Sequence, residues 1–203
     1  MEAEIITYQI EAAELKILTK EKSEVEPKIK VWLAQGLPKK SKMDLIVEKA
    51  TEIGFKGLIP LETDRSVVKY NDSKKEKKRK RWERVAEAAA KQSGRAVIPK
   101  IYKFFKPEAL KDLKDKFDHI IVLWEDEKKK SLKSFFRMNK VSRSNSILII
   151  VGPEGGFSEK EIKVFSEILS ANFITLGPRI LRTETAGITA LSCILYEKGE
   201  LGD

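Results

Sequence analysis

Residues 147–151, Ile-Leu-Ile-Ile-Val, form an unbroken apolar run, which marks a strand buried on both faces. A glycine-rich loop follows, Gly152-Pro-Glu-Gly-Gly156. Ser158 and Glu161 then give a capping box, and Phe157 is placed to staple against Ile162, so a helix is predicted to start there. A short strand and a second loop, Leu176-Gly-Pro-Arg-Ile-Leu-Arg-Thr-Glu-Thr-Ala186, lead into a last helix over about 185–198. Its apolar stripe is Ile188, Leu191, Ile194 and Leu195, and Gly199 is its stop.

The same alternation runs through the preceding residues. Strands are predicted at 29–34, 57–61, 100–103 and 120–124. A helix opens at Ser41 with Asp44 three residues on, presents Met43, Ile46, Val47, Ala50 and Ile53 on one face, and ends at Gly54. Further helices are expected over 74–95 and 107–116, followed by a polar segment with Lys128, Lys129 and Lys130. Residues 1–27 read differently, as two strands near 2–9 and 14–20 joined by a tight turn, too little for a domain. The fold class is therefore α/β, with two loops that leave strands and enter helices.

Composition narrows the function. Apolar residues are 41% of the 203 and charged residues 35%, a balance that supports a packed core. No run has the length of a membrane span and no apolar signal segment opens the chain, so a cytoplasmic protein is expected. A single cysteine, Cys193, and a single histidine, His119, supply neither a disulfide nor a metal cluster, and no metal is expected. Residues 74–95 hold ten basic against three acidic side chains, most of the formal net charge of +9. Such concentration favours a phosphate backbone of any sequence.

The glycine loop matches neither a Rossmann fingerprint nor a Walker loop, and Glu154 within it would repel a pyrophosphate. A ligand bearing hydroxyls or positive charge fits better. The pair Gly152-Pro-Glu-Gly-Gly-Phe-Ser158 and Leu176 to Ala186 closely resembles the RsmE family, enzymes of the SPOUT superfamily that methylate uridine N3 in 16S ribosomal RNA. The resemblance covers residues 28–203. It implies a parallel sheet with helices on both faces, a C-terminal trefoil knot, S-adenosylmethionine as cofactor and a homodimer acting on the small ribosomal subunit or its precursor. Family members begin with a small PUA-like β-barrel, of which residues 1–27 would be a truncated remnant.

Carried onto this chain, the resemblance implies that Leu123, Gly152, Pro153, Glu154, Gly155, Gly156, Leu176, Gly177, Ile180, Leu181, Arg182, Thr183, Thr185 and Ala186 surround the cofactor. The catalytic candidates are Arg65, Arg95, Glu154 and Arg182: arginines to stabilise a developing uridinate, Glu154 beside the sulfonium. For RNA the candidates are Arg65, Lys69, Lys77, Lys78, Lys80, Arg81, Gln92 and Arg95. A non-catalytic RNA-binding module, an α/β enzyme using another nucleotide, and a SPOUT enzyme for a different RNA site are the competing readings.

Overall fold

The computed structural model describes residues 2–9, 12–19 and 24–202. Two sheets result. The antiparallel hairpin β1 (Glu2–Tyr8) and β2 (Ala13–Thr19) forms the first, matching the expected strands; the end of the second expected strand, at Lys20, lies outside the described residues. Apolar side chains are exposed on it: the register sets Ile5 against Leu15 and Tyr8 against Ala13 on the face that Ile17 shares, while Ile6 and Leu18 sit at its two register shifts.

The second sheet has six parallel strands: β3 (Lys30–Gly36), β4 (Gly57–Leu61), β5 (Lys100–Ile101), β6 (His119–Leu123), β7 (Ser146–Val151) and β8 (Asn172–Ile174). Their order is β5-β4-β3-β7-β6-β8. The apolar run at 147–151 sits in the third strand from the β8 edge and is buried throughout. Alternate residues feed the two sides: Ile147, Ile149 and Val151 join one core, Leu148 and Ile150 the other.

The first side is covered by α1 (Lys42–Ile53), α2 (Asp72–Gln92), α3 (Leu132–Met138) and α5 (Thr183–Glu197). The other side is covered by a 3-10 segment (Pro107–Lys116) and by α4 (Glu159–Lys163), which continues as a π-turn over Val164–Ile168. Helices on both faces of a parallel sheet follow from strands that are apolar on both faces.

Several local expectations change. Ser41 caps α1 by position only, with no side-chain bond; Asp44 instead accepts from Arg81 and from the Trp82 indole, so the box is spent on joining α1 to α2. Residues 107–116 are 3-10 rather than α-helical. Helix α3 was hidden in the polar segment because only Leu132 and Phe135 mark its buried face. Phe157 packs edge-on to Phe165, 4.9 Å between ring centres, in the same apolar cluster as Ile162. His119 is half-buried against Phe135, a structural role.

Candidate functional site

The capping box at Ser158 forms in full, and Glu161 does more than cap. Its carboxylate, 1% exposed, accepts from the Ser158 N–H at 2.8 Å and from the Asp64 N–H at 2.8 Å. Ser158 in turn donates to Asp64 at 2.7 Å. The segment after β4 is thus moored to the start of α4. That mooring sets Arg65 against the glycine loop, where its guanidinium donates to the Gly155 carbonyl at 3.2 Å.

At the C-terminal ends of β6, β7 and β8, three loops enclose a cavity of about 750 Å³. Its apolar wall includes Leu123, Val151, Ile174, Leu176, Leu181 and Ala186. Its polar wall includes Glu125, Glu154, Lys42, Lys128, Arg179 and Arg182. A parallel sheet places its ligands at this rim, where loops diverge from the strand ends. Gly156 has φ +67°, and a Cβ there would lie 2.5 Å from the Glu125 carboxylate, so the turn admits glycine alone without displacing that side chain.

Glu154 is the best-anchored acid in the wall. Lys42 Nζ lies 3.0 Å from one of its oxygens, and the Lys39 N–H donates at 3.1 Å. Partial burial opposes ionisation, but the Lys42 ammonium and these backbone N–H groups outweigh it, and the carboxyl lies below its ordinary value. Lys42 also pairs with Glu184 in the first turn of α5, at 3.1 Å, and the two carboxylates raise its own pKa. Two acids against one lysine leave the cluster with a net negative charge.

Most of the expected cofactor residues meet here: Leu123, Gly152, Pro153, Glu154, Gly156, Leu176, Gly177, Ile180, Leu181, Arg182, Thr183 and Ala186 all line the cavity. Gly155 and Thr185 do not. A Cβ on Gly155 would meet Arg65 at 3.1 Å, so that glycine makes room for Arg65, and Thr185 is exposed on α5 outside the wall. Sequence reasoning missed Lys42, whose position in the first turn of a helix opposes the helix dipole and so signals a carboxylate partner. It also missed Trp124, Glu125 and Lys128 of the third loop.

Arg95 is a correction. Its side chain is 4% exposed, pairs with Glu26 at 2.6 Å and donates to the carbonyls of Thr51 and Phe55 at 3.1 and 2.9 Å. Those carbonyls precede β4, so Arg95 sits at the opposite rim from the cavity and holds residues 24–28 to the sheet domain. Gln92, at the end of α2, lies at the same rim. On α2, Lys77 and Lys80 are exposed and Lys78 lies over the Tyr70 ring at 5.8 Å, while Arg81 is spent on Asp44, at 2.7 Å. Lys69 is exposed beside Tyr70.

Among the described residues no group of acidic, histidine or cysteine side chains could hold a metal, and no helix is long and apolar enough to cross a membrane.

Residues 25–195 match the family of RNA methyltransferase domains. The chain is 41% identical over 173 residues to the ribosomal RNA small subunit methyltransferase E of Bacillus subtilis, covering 83% of this chain and 66% of that protein. It is 38% identical over 184 residues to the protein of the same name from Mesomycoplasma hyopneumoniae, covering 88% and 75%. The chain thus spans about two thirds to three quarters of the length of these relatives. A methyltransferase from Legionella pneumophila, solved with bound SAM, superposes with a TM-score of 0.81 at 31% identity, covering 96% of this chain and 77% of that one. The six-stranded parallel sheet and its helices place the fold among the SPOUT methyltransferases. The chain belongs to the RNA methyltransferase domain family, among the small subunit methyltransferases E.

Proposed function

We propose that this chain transfers a methyl group from S-adenosylmethionine to N3 of a uridine in 16S ribosomal RNA. The observation that carries the reading is the cavity at the ends of β6, β7 and β8, in which Glu154 is held ionised beside an apolar wall. An adenosyl group matches that wall, and a sulfonium matches the ionised Glu154 carboxylate. The Legionella relative carries SAM, which supports the same ligand for this chain. The ligand's contacts are assigned to the twelve expected residues that line the cavity; Gly155 and Thr185 leave the set.

Bound there, S-adenosylmethionine would supply a methyl already activated by a positive sulfur, which leaves as a neutral thioether when the S–CH₃ bond breaks; N3 gives up its proton to solvent as the N–CH₃ bond forms. The protein's work is positioning and charge. Glu154, with its pKa lowered by Lys42 against the opposing effect of burial, is a weak proton acceptor; its role is to face the sulfonium. Arg65, moored at the outer side of the glycine loop, and Arg182, in the cavity wall, are the cations for negative charge developing on the uracil. Arg95 has no part in this.

Lys69, Lys77, Lys78 and Lys80, with Arg65, form the RNA-facing set. The small ribosomal subunit or its precursor is the substrate and the cytoplasm the compartment. Residues 28–203 form the SPOUT domain, and the β1–β2 hairpin, whose Ile5, Leu15 and Ile17 are exposed together on one face, belongs to a PUA-like barrel. A trefoil knot accords with the path of α5, which follows edge strand β8 yet packs on β7 and β3, with Arg143 binding the carbonyls of Lys198 and Gly199 at its end. A homodimer accords with the exposed Tyr196 and Cys193 on α5. Incubation with methyl-labelled S-adenosylmethionine and either 16S ribosomal RNA or small subunits, then nucleoside mass spectrometry, tests the reaction. Label in N3-methyluridine is expected; label in any other nucleoside contradicts it.

A further inference from the structure

Gln35 is the one glutamine in a buried position of the central strands and is wholly inaccessible to solvent. It follows four residues of β3 that are apolar, Val31 to Ala34, and pairs in register with Pro60 and Val151. Its Nε2 donates to the Thr183 hydroxyl at 2.8 Å and to the Gly36 carbonyl at 3.0 Å. The Thr183 hydroxyl, itself in a buried residue, donates onward to the Gly152 carbonyl at 2.5 Å. The bonds run in one direction, amide to hydroxyl to carbonyl, so each polarises the next.

The three members come from three separate places: the end of β3, the first residue of the glycine loop and the first residue of α5. Arg182, the N-cap of α5, makes no side-chain capping bond, so the start of that helix is moored through Thr183 instead. Gly36 brings the glycine loop equally close from below, since a Cβ there would lie 2.6 Å from the Pro153 ring. Meanwhile the Oε1 of Gln35 has no hydrogen-bond partner. A buried, unpaired carbonyl oxygen is costly, and an apolar side chain of the same size would avoid the cost. What accounts for an amide at this position is the pair of bonds its N–H groups make.

We propose that Gln35 is a positioning residue for methyl transfer: through Thr183 it fixes the distance between the glycine loop and the start of α5, the two sides of the cavity. This rests on the reading of those loops as one cofactor site. Gln35 does not line the cavity, so it acts through the other two residues. Small displacements of reacting groups cost rate steeply, which is why a remote hydrogen bond can matter.

Gln35→Leu and Thr183→Val each remove the relay, and Thr183→Ser keeps the hydroxyl. In folded Gln35→Leu and Thr183→Val protein, calorimetric affinity for S-adenosylmethionine and the saturated single-turnover rate should each fall about tenfold or more. The double variant should be no worse than the poorer single one, and Thr183→Ser should recover most of the loss of Thr183→Val. A lower melting temperature with unchanged affinity and unchanged saturated rate would make the relay structural only and overturn the proposal. Where Gln35→Leu fails to fold, Gln35→Met, unbranched and close to glutamine in size, removes the same donor and decides it. Absence of cofactor binding by the folded wild-type chain would overturn the cofactor reading itself, a separate result.

Discussion

The Lys42 ammonium lies 3.0 Å from the Glu154 carboxylate and 3.1 Å from that of Glu184, so one lysine of α1 ties the glycine loop to the start of α5. Both partners of the first pair are about a quarter exposed, at 26% and 27%, which limits what the pair adds to stability. Its effect should be on the cavity. Lys42→Met and Glu154→Gln should each weaken S-adenosylmethionine binding. A double-mutant cycle should return a coupling of about 0.5–1 kcal/mol. Additive losses would mean that the two residues act on the ligand independently.

The clamp at the opposite rim makes a prediction about acid. Burial raises the Glu26 pKa, but Arg95 and the N–H groups of Ala96 and Val97 lower it by more, and the net direction is downward. A carboxyl lowered in the folded state stabilises the fold above its unfolded value, close to 4.5, and that contribution drains away as pH falls through the lowered value. Denaturant titrations of wild type and Glu26→Gln between neutral pH and about pH 3 check the sign. The variant should be less stable at neutral pH, and the gap should close on the acid side. A gap independent of pH would remove Glu26 ionisation from the clamp.

Capping residues and apolar runs made much of this fold legible before any coordinates. Ser158 and Glu161 mark α4 because both halves of a capping box are local, and 147–151 marks β7 because no polar residue interrupts it. Ser41 and Asp44 show the limit of the same rule: a distant Trp82 and Arg81 compete for the carboxylate and win it. Arg95 was misread for a similar reason, since Glu26, Thr51 and Phe55 are remote in sequence. The cavity was legible as far as its glycines and its second loop. Lys42 and Gln35 act by long-range contacts, and only the fold brings those partners together.

Helix α2 separates loosely held from tightly paired charge: Lys77 is exposed, and Lys80 reaches Glu76 only at 4.0 Å. Arg79 is held by Glu76 and Glu83, and Arg81 by Asp44. Reversal of Lys77 and Lys80 to Glu should therefore weaken RNA binding and flatten its salt dependence, by roughly 0.7–0.9 in slope per lost phosphate contact. Arg81→Glu should instead lower thermal stability, because it sets a like charge against Asp44. Filter binding across a salt series, beside melting curves, distinguishes the two; equal RNA loss in all three would erase the distinction.

Arg65 lies outside the cavity lining, against the Gly155 carbonyl, and is proposed to act on the base. If it stabilises a developing uridinate, Arg65→Ala should lower the saturated single-turnover rate by about 10²–10³. The defect should shrink as pH rises and more uridine is already deprotonated. Loss confined to RNA affinity, with a normal saturated rate, would make Arg65 a phosphate contact instead.

The account stands on the cavity at the ends of β6, β7 and β8 being a cofactor site, and calorimetry with S-adenosylmethionine tests that most directly. Saturable binding at one ligand per chain is expected. It should weaken in Gly156→Ala, which strains a turn held at φ +67° and pushes the Glu125 carboxylate aside. Absence of binding to the folded wild-type chain, or unaltered binding by folded Gly156→Ala, would contradict it.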